Sequence, residues 1–252
     1  MLYCSGAKKR PVFLRKYHIQ KKAMIKKLLK THTYAVVIPI LTLAFSVAMF
    51  LLAKLLIHWR PHLDMTTSWD LAVPFLPWTV VIYLGTFLFW YYVYVRSALQ
   101  DREKADRFFC TQVLTVLISF VTFLIVPTTN VRPEVGGPGF WNWVMRIVYG
   151  VDTPENLFPS LHCSTAWLCW VGLRSRKDIS LRLKLFAFVL GVAVCVSTLT
   201  TRQHVIADAV VGVALCEIDW QLAGIPAIRR RFSAVADRIV RLFRRDRPGE
   251  AA

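Results

Sequence analysis

The stretch Asn156-Leu-Phe-Pro-Ser-Leu-His162 opens an apolar run that extends only to Leu173 before Arg174 interrupts it. From Ser160 to Leu173 is fourteen residues, or about 21 Å at helical rise against a hydrocarbon core of about 30 Å. The start of this run therefore has to lie below the lipid headgroups or inside protein, and His162 is sunken with it. Pro159 and Ser160 mark a helix N-terminus, because proline suits the first turn and a serine oxygen accepts an otherwise unpaired N–H. The free N–H groups and dipole of that first turn favour an anion such as a phosphoryl group.

A second polar cluster, His204-Val-Ile-Ala-Asp208, stands at the head of a later apolar segment. A separation of four residues puts the imidazole and the carboxylate on one helix face, where Asp208 accepts a hydrogen bond from the ring, fixes its tautomer and raises its nucleophilicity. Polar side chains at such depth are expensive and usually functional.

The bulk properties agree with a membrane setting. The chain has 252 residues, 56% of them hydrophobic and 13% aromatic, and a formal net charge of +17. Lys and Arg fall between or outside the apolar runs instead of forming a folded basic face, which argues against a nucleic-acid partner. Six cysteines (Cys4, Cys110, Cys163, Cys169, Cys195, Cys216) form no CxxC pair, and five of them lie in apolar runs as ordinary packing residues.

Read in order, residues 1–33 form a basic cytoplasmic segment in which Lys16–Lys30 has helix-like apolar spacing. It suits an interfacial helix on an anionic cytoplasmic leaflet, and for residues 1–15 a solvated tail is an equal alternative. The run after it is of full spanning length and ends without a small-residue cleavage site, so it reads as an anchor and not a signal peptide. Six spans follow, at Tyr34–Ile57, Thr79–Val95, Phe108–Val126, Ser160–Leu173, Leu185–Thr201 and Gln203–Ile225. The expected fold is thus an all-α bundle of six transmembrane helices over residues 34–225, with a basic cytoplasmic tail at 226–252. Between the third and fourth spans, Gly136-Gly-Pro-Gly139 turns the chain into Phe140–Tyr149, a Trp-rich piece expected to lie as a helix on the membrane surface.

Six spans put both termini on one side, which collects 26 Lys or Arg against 4 on the other. The positive-inside rule makes the first side cytoplasmic. The same topology gathers Arg132, His162, His204 and Asp208 at the opposite face, although the charge count did not require it. There Arg132 is suited to clamp phosphate oxygens, and two histidines divide the labour of phosphoryl transfer: one attacks phosphorus and the other protonates the leaving oxygen.

These residues resemble the motifs of the type-2 phosphatidic acid phosphatase superfamily, integral-membrane histidine phosphatases and phosphotransferases related to vanadium haloperoxidases. Arg132-Pro133 matches the end of its first motif, Pro159-Ser-Leu-His162 the second, and Ser197-Thr198 with His204 and Asp208 the third. The first-motif Lys would fall at Ile125, the second-motif Gly is Leu161, and the third-motif Arg would fall at Thr198. Phe158-Pro-Ser-Leu-His162 is closer to the branch that includes inositol phosphorylceramide synthase. The resemblance implies His204 as nucleophile, Asp208 as its orienting partner, His162 as general acid, and Arg132 and Ser160 as phosphate ligands. Arg202 is either a substitute for the missing cations or an interface charge. No metal and no cofactor is implied, in keeping with six scattered His that no carboxylate cluster accompanies. The expected enzyme is a lipid-phosphate phosphatase of the cell membrane that faces the extracytoplasmic side. The alternative is a phosphotransferase that passes a phospho-headgroup to an alcohol. The lipid and the oligomeric state stay open.

Overall fold

The computed structural model describes residues 12–243, with side chains from Thr33 onward. The expectations for residues 1–11 and 244–252 lie outside the described residues.

The first helix, α1 (Val12–Ile57), runs unbroken for 46 residues through the point where a basic segment was expected to give way to a span. Lys, Leu, Ile, Met, Ala and Gln dominate residues 16–30. All are compatible with a helix, so nothing in the local propensities stops it where the charge ends.

The loop before the next long helix is more ordered than expected. It holds a two-residue strand, β1 (Leu63–Asp64), and a short helix, α2 (Ser68–Ala72), whose start is closed by a reciprocal Thr67/Asp70 capping box. A 3₁₀ turn at Pro77–Thr79 leads into α3 (Val80–Ala98), and α4 (Arg102–Ile125) follows. A second short strand, β2 (Thr128–Thr129), pairs in parallel with β1, Leu63 opposite Thr128. This small sheet is the one departure from an all-α chain among the described residues, and it staples the connection before α3 to the one after α4.

Next come α5 (Phe140–Val151), α6 (Leu161–Arg174), α7 (Leu181–Thr200), α8 (Ile206–Gly224) and α9 (Pro226–Leu242). Phe140, Trp143, Ile147 and Val151, spaced for one face of α5, are all exposed, while Met145 is fully buried.

Among the described residues, four helices are long and apolar enough to cross a membrane: Thr33–Ile57, Pro77–Ala98, Arg102–Ile125 and Leu181–Thr200. The other two expected spans differ for separate reasons. The helix α6 has only 14 residues. In α8, Asp208, Glu217 and Asp219 interrupt the apolar character of 19 residues.

The short α6 is the inner helix of the bundle. It packs against α3, α4, α7 and α8, and nine of its residues are buried, among them Leu168, Cys169, Val171 and Leu173 at the centre of the hydrophobic core. A helix surrounded by protein need not match the thickness of lipid, which is how fourteen residues suffice.

Packing is tight where backbones approach. A Cβ on Gly212 of α8 would stand 2.5 Å from the carbonyl oxygen of Ser160, and one on Gly172 would stand 2.7 Å from the Phe108 ring. Only glycine allows α8 to rest directly on the Pro159-Ser160 turn.

The end of the bundle where α6 and α8 finish is organised by ion pairs. Arg174 grips Glu217 through both nitrogens, at 2.5 and 2.8 Å, and the Trp167 indole donates to the same carboxylate. Arg102 joins Asp106 at 2.8 Å and Asp237 of α9 at 3.0 Å. Asp219 is fully buried and accepts the Thr115 hydroxyl at 2.7 Å. The two acidic residues near the end of α8 are thus held by α4 and α6.

Candidate active site

The polar end of the bundle is assembled from two short segments that meet at the start of α6 and of α8. Ser160 is the N-cap of α6, its side chain accepting the Cys163 N–H at 3.2 Å, a contact of the kind that contributes about 1 kcal/mol. The peptide bond between Phe158 and Pro159 is cis. The Ser160 N–H donates to the main-chain carbonyl of Asp208 at 3.1 Å. Asp208 therefore joins the two segments through its backbone while its side chain turns to the turn preceding α8.

There the Asp208 carboxylate accepts two hydrogen bonds through Oδ2, from His204 Nδ1 at 3.1 Å and from the Val205 N–H at 3.0 Å. Asp208 is completely buried and His204 nearly so. The carboxylate fixes the orientation of the His204 ring and stabilises positive charge that develops on it. The geometry uses Nδ1 on Asp208 and leaves Nε2 for the other side of the ring.

His162 is close by, with ring centroids 6.1 Å apart and the rings tilted by 55°. Its surroundings are aromatic. Tyr83 of α3 stacks on it at 4.4 Å, and Phe87 and Trp90, one and two turns further along the same face, approach at 5.9 and 5.8 Å. The Tyr83 hydroxyl lies 3.5 Å from His162 Nδ1 and 3.4 Å from Asp152 Oδ2.

Arg132 enters from the connection after α4. Its guanidinium donates to the Asp152 carbonyl and, at 2.9 Å, to Gln203 Oε1, and it sits 4.8 Å over the Tyr149 ring. Three donors beside the histidines remain buried and without a partner among the described residues, Arg132 Nε, Gln203 Nε2 and Trp90 Nε1. Unpaired buried donors are costly, and an anion would satisfy them.

Arg202 has a different environment. It adopts a left-handed conformation, φ 53°. Its guanidinium donates to the carbonyls of Asp70, Leu71 and Val73 at the end of α2, a favourable place for a cation. In return, Asp70 Oδ1 accepts the Ile206 N–H at 2.7 Å, closing the start of α8. The pair clasps the loop around α2 to the histidine turn, and Arg202 shares a narrow crevice with Asp70, Asn130 and His204.

The structure thus brings His162, His204, Asp208, Ser160 and Arg132 together and commits the Arg202 guanidinium to main-chain carbonyls. Reasoning from sequence missed Gln203, Tyr83, Asp152 and Asp70. Gln203, a polar residue beside His204 at the head of an apolar run, carried a usable signal. Tyr83 was one aromatic among many in its span, and the loop around Asp70 gave no sign of the helix it caps. Among the described residues no three His, Cys, Asp or Glu are grouped to hold a metal ion, and the five described cysteines are free.

The fold and this site define a membrane-type helical protein with two buried histidines paired at one end of the bundle. Residues 51–222 match the family model of the PAP2 superfamily, and the chain belongs to that superfamily. Neither the curated proteins nor the solved structures compared with it include a significant match. Members of the superfamily are phosphatases or phosphotransferases that act on phosphate-bearing substrates.

Proposed function

We propose that this protein is a lipid-phosphate phosphatase that hydrolyses a phosphomonoester or pyrophosphate through a phosphohistidine. The observation that carries this is the His204 ring, backed by Asp208 and facing His162 across 6.1 Å. His204 Nε2 attacks phosphorus, the bond from phosphorus to the lipid oxygen breaks, and His162 gives that oxygen its proton. Water then attacks the phosphohistidine and passes its proton to His162. The phosphorus–nitrogen bond breaks, and inorganic phosphate leaves. Arg132 and the first turn of α6 after Ser160 hold the non-bridging oxygens, with Gln203 as a further donor.

The reading includes six spans, with α6 and α8 completing the four apolar helices, both termini cytoplasmic, and the histidines at the extracytoplasmic side. The exposed apolar face of α5 suits a helix lying on that surface. An alcohol as second acceptor is favoured by one feature, the wall of Tyr83, Phe87 and Trp90 around His162, which limits access of water to the ring that would activate it. Purified protein in lipid nanodiscs, given a lipid phosphate with and without candidate alcohols, separates the two. Inorganic phosphate without added alcohol is the expected product. A phosphomonoester of the added alcohol with no inorganic phosphate would reverse the choice of acceptor.

A further inference from the structure

The helix α9 begins directly after α8, at the end of the bundle away from the histidine turn. One of its sides is occupied by the protein: Ala236 and Val240 are buried, and Phe232 packs on the core. The remainder is divided lengthwise. Ile228, Val235 and Leu242 recur every seven residues and so form one stripe, half-buried at Ile228 but 55% and 83% exposed at Val235 and Leu242. Arg231 and Arg238, each three residues after a member of that stripe, form a second stripe beside it, and Arg230 and Arg241 extend the basic side. All four arginines are exposed.

The helix carries five arginines against one aspartate. Arg229 is engaged by Glu103 and by the Gly224 carbonyl, at 2.5 and 2.9 Å. The guanidiniums of Arg230, Arg231 and Arg238 form no ion pair or hydrogen bond among the described residues.

Neighbouring helices fix the height of α9. Arg102, the first residue of one candidate span, donates to Asp237 at 3.0 Å and to the Ser233 carbonyl at 3.5 Å. It also stands 4.0 Å over the ring of Tyr34, the second residue of another candidate span. Six residues, about 9 Å of helix, lead from Arg102 to Phe108, where the apolar run of α4 starts. That is about the thickness of a headgroup layer. The middle of α9 thus lies near the edge of the hydrocarbon, with an apolar stripe and an unpaired basic stripe side by side. A leaflet boundary offers partners to both at once, acyl chains to one and phosphates to the other. A soluble acidic partner would have to enter the headgroup layer to reach either. A zwitterionic headgroup brings its own cation to the phosphate, whereas an anionic one leaves the phosphate to arginine.

We propose that α9 binds anionic phospholipid of the adjoining leaflet, Val235 and Leu242 entering it and Arg231 and Arg238 pairing with headgroup phosphates. The assignment asks only that α1 and α4 cross a membrane. It is independent of the chemistry at the histidines, which lie about 28 Å away along α8.

The test has two arms. In the first, the full chain in phosphatidylcholine–detergent micelles is given phosphatidylglycerol, and the lipids it retains are counted by native mass spectrometry. Phosphatidylglycerol is expected to be retained in preference to phosphatidylcholine. Arg231→Gln with Arg238→Gln lowers that preference at least about threefold, and the unfolding midpoint stays that of the wild type because both positions are exposed. Lys177→Gln with Arg182→Gln removes two exposed charges from the connection between α6 and α7 and leaves the preference in place. No preference in the wild type, an unchanged preference in the α9 variant, or an equal loss in the second variant overturns the assignment. In the other arm, Val235→p-benzoylphenylalanine is irradiated in native membranes. The α9 peptide is expected to gain the mass of a phospholipid, and an adduct to protein without a lipid adduct, or no adduct, counts against the leaflet as occupant.

Discussion

His204 and His162 are neighbours with opposite surroundings. His204 is held by a carboxylate, a main-chain N–H on that carboxylate, and an adjacent Arg132–Gln203 pair. His162 sits among Tyr83, Phe87 and Trp90, and its one polar contact, with the Tyr83 hydroxyl, is long at 3.5 Å. A carboxylate stabilises the positive charge that grows on an attacking imidazole, and an aromatic wall does not. The contrast suits unequal tasks for the two rings, attack for one and proton donation for the other.

The largest effect that would break this contrast is at His204. With His204→Ala, release of phosphate should fall at least about 10⁴-fold, and no acid-labile, base-stable phosphoprotein should form in a rapid quench. Phosphate-labelled protein in that variant would move the attack elsewhere. His162→Ala should cost about 10³-fold with a lipid alkoxide as leaving group. The loss should shrink strongly with para-nitrophenyl phosphate, whose phenolate leaves without a proton. Equal losses on both substrates would remove His162 from the role of acid.

A smaller effect sharpens the polar half. Asp208→Asn should lower kcat/KM about 10²-fold. Since the carboxylate fixes the ring through Nδ1, the loss should fall on kcat more than on KM. A loss confined to KM would separate Asp208 from the positioning of His204. The smallest effect belongs to the aromatic half. Tyr83→Phe keeps the stack and loses only long hydroxyl contacts, so activity should change less than about threefold, while Tyr83→Ala should cost about tenfold, the worth of one aromatic stack.

Much of this arrangement was legible because it follows from spacing. The separation of four between His204 and Asp208 pointed to a hydrogen bond, and the bond is found, although His204 lies in the turn before α8 and not on its face. Pro159-Ser160 specifies a helix start, and Ser160 caps α6. The short run to Leu173 required a sheltered helix, and α6 is sheltered by four others. What was hidden depends on contacts between distant segments. The purpose of Arg202 could not be read, because its acceptors lie about 130 residues earlier on a helix of five residues. Likewise, the start of α1 is set by residues that are at once basic and good helix formers, so charge alone misplaces the boundary.

One consequence follows from how Asp208 divides its two ends. Its side chain holds the imidazole, but its peptide oxygen holds Ser160, beneath a glycine that admits nothing larger. Replacing the side chain leaves that peptide oxygen in place, so the seam between the start of α6 and the start of α8 outlasts any substitution at position 208. Gly212→Val does the reverse: it wedges the seam open and leaves the carboxylate intact. Chemistry and assembly meet at one residue, yet they can be damaged independently, and the two variants together tell a silent enzyme from a misassembled one.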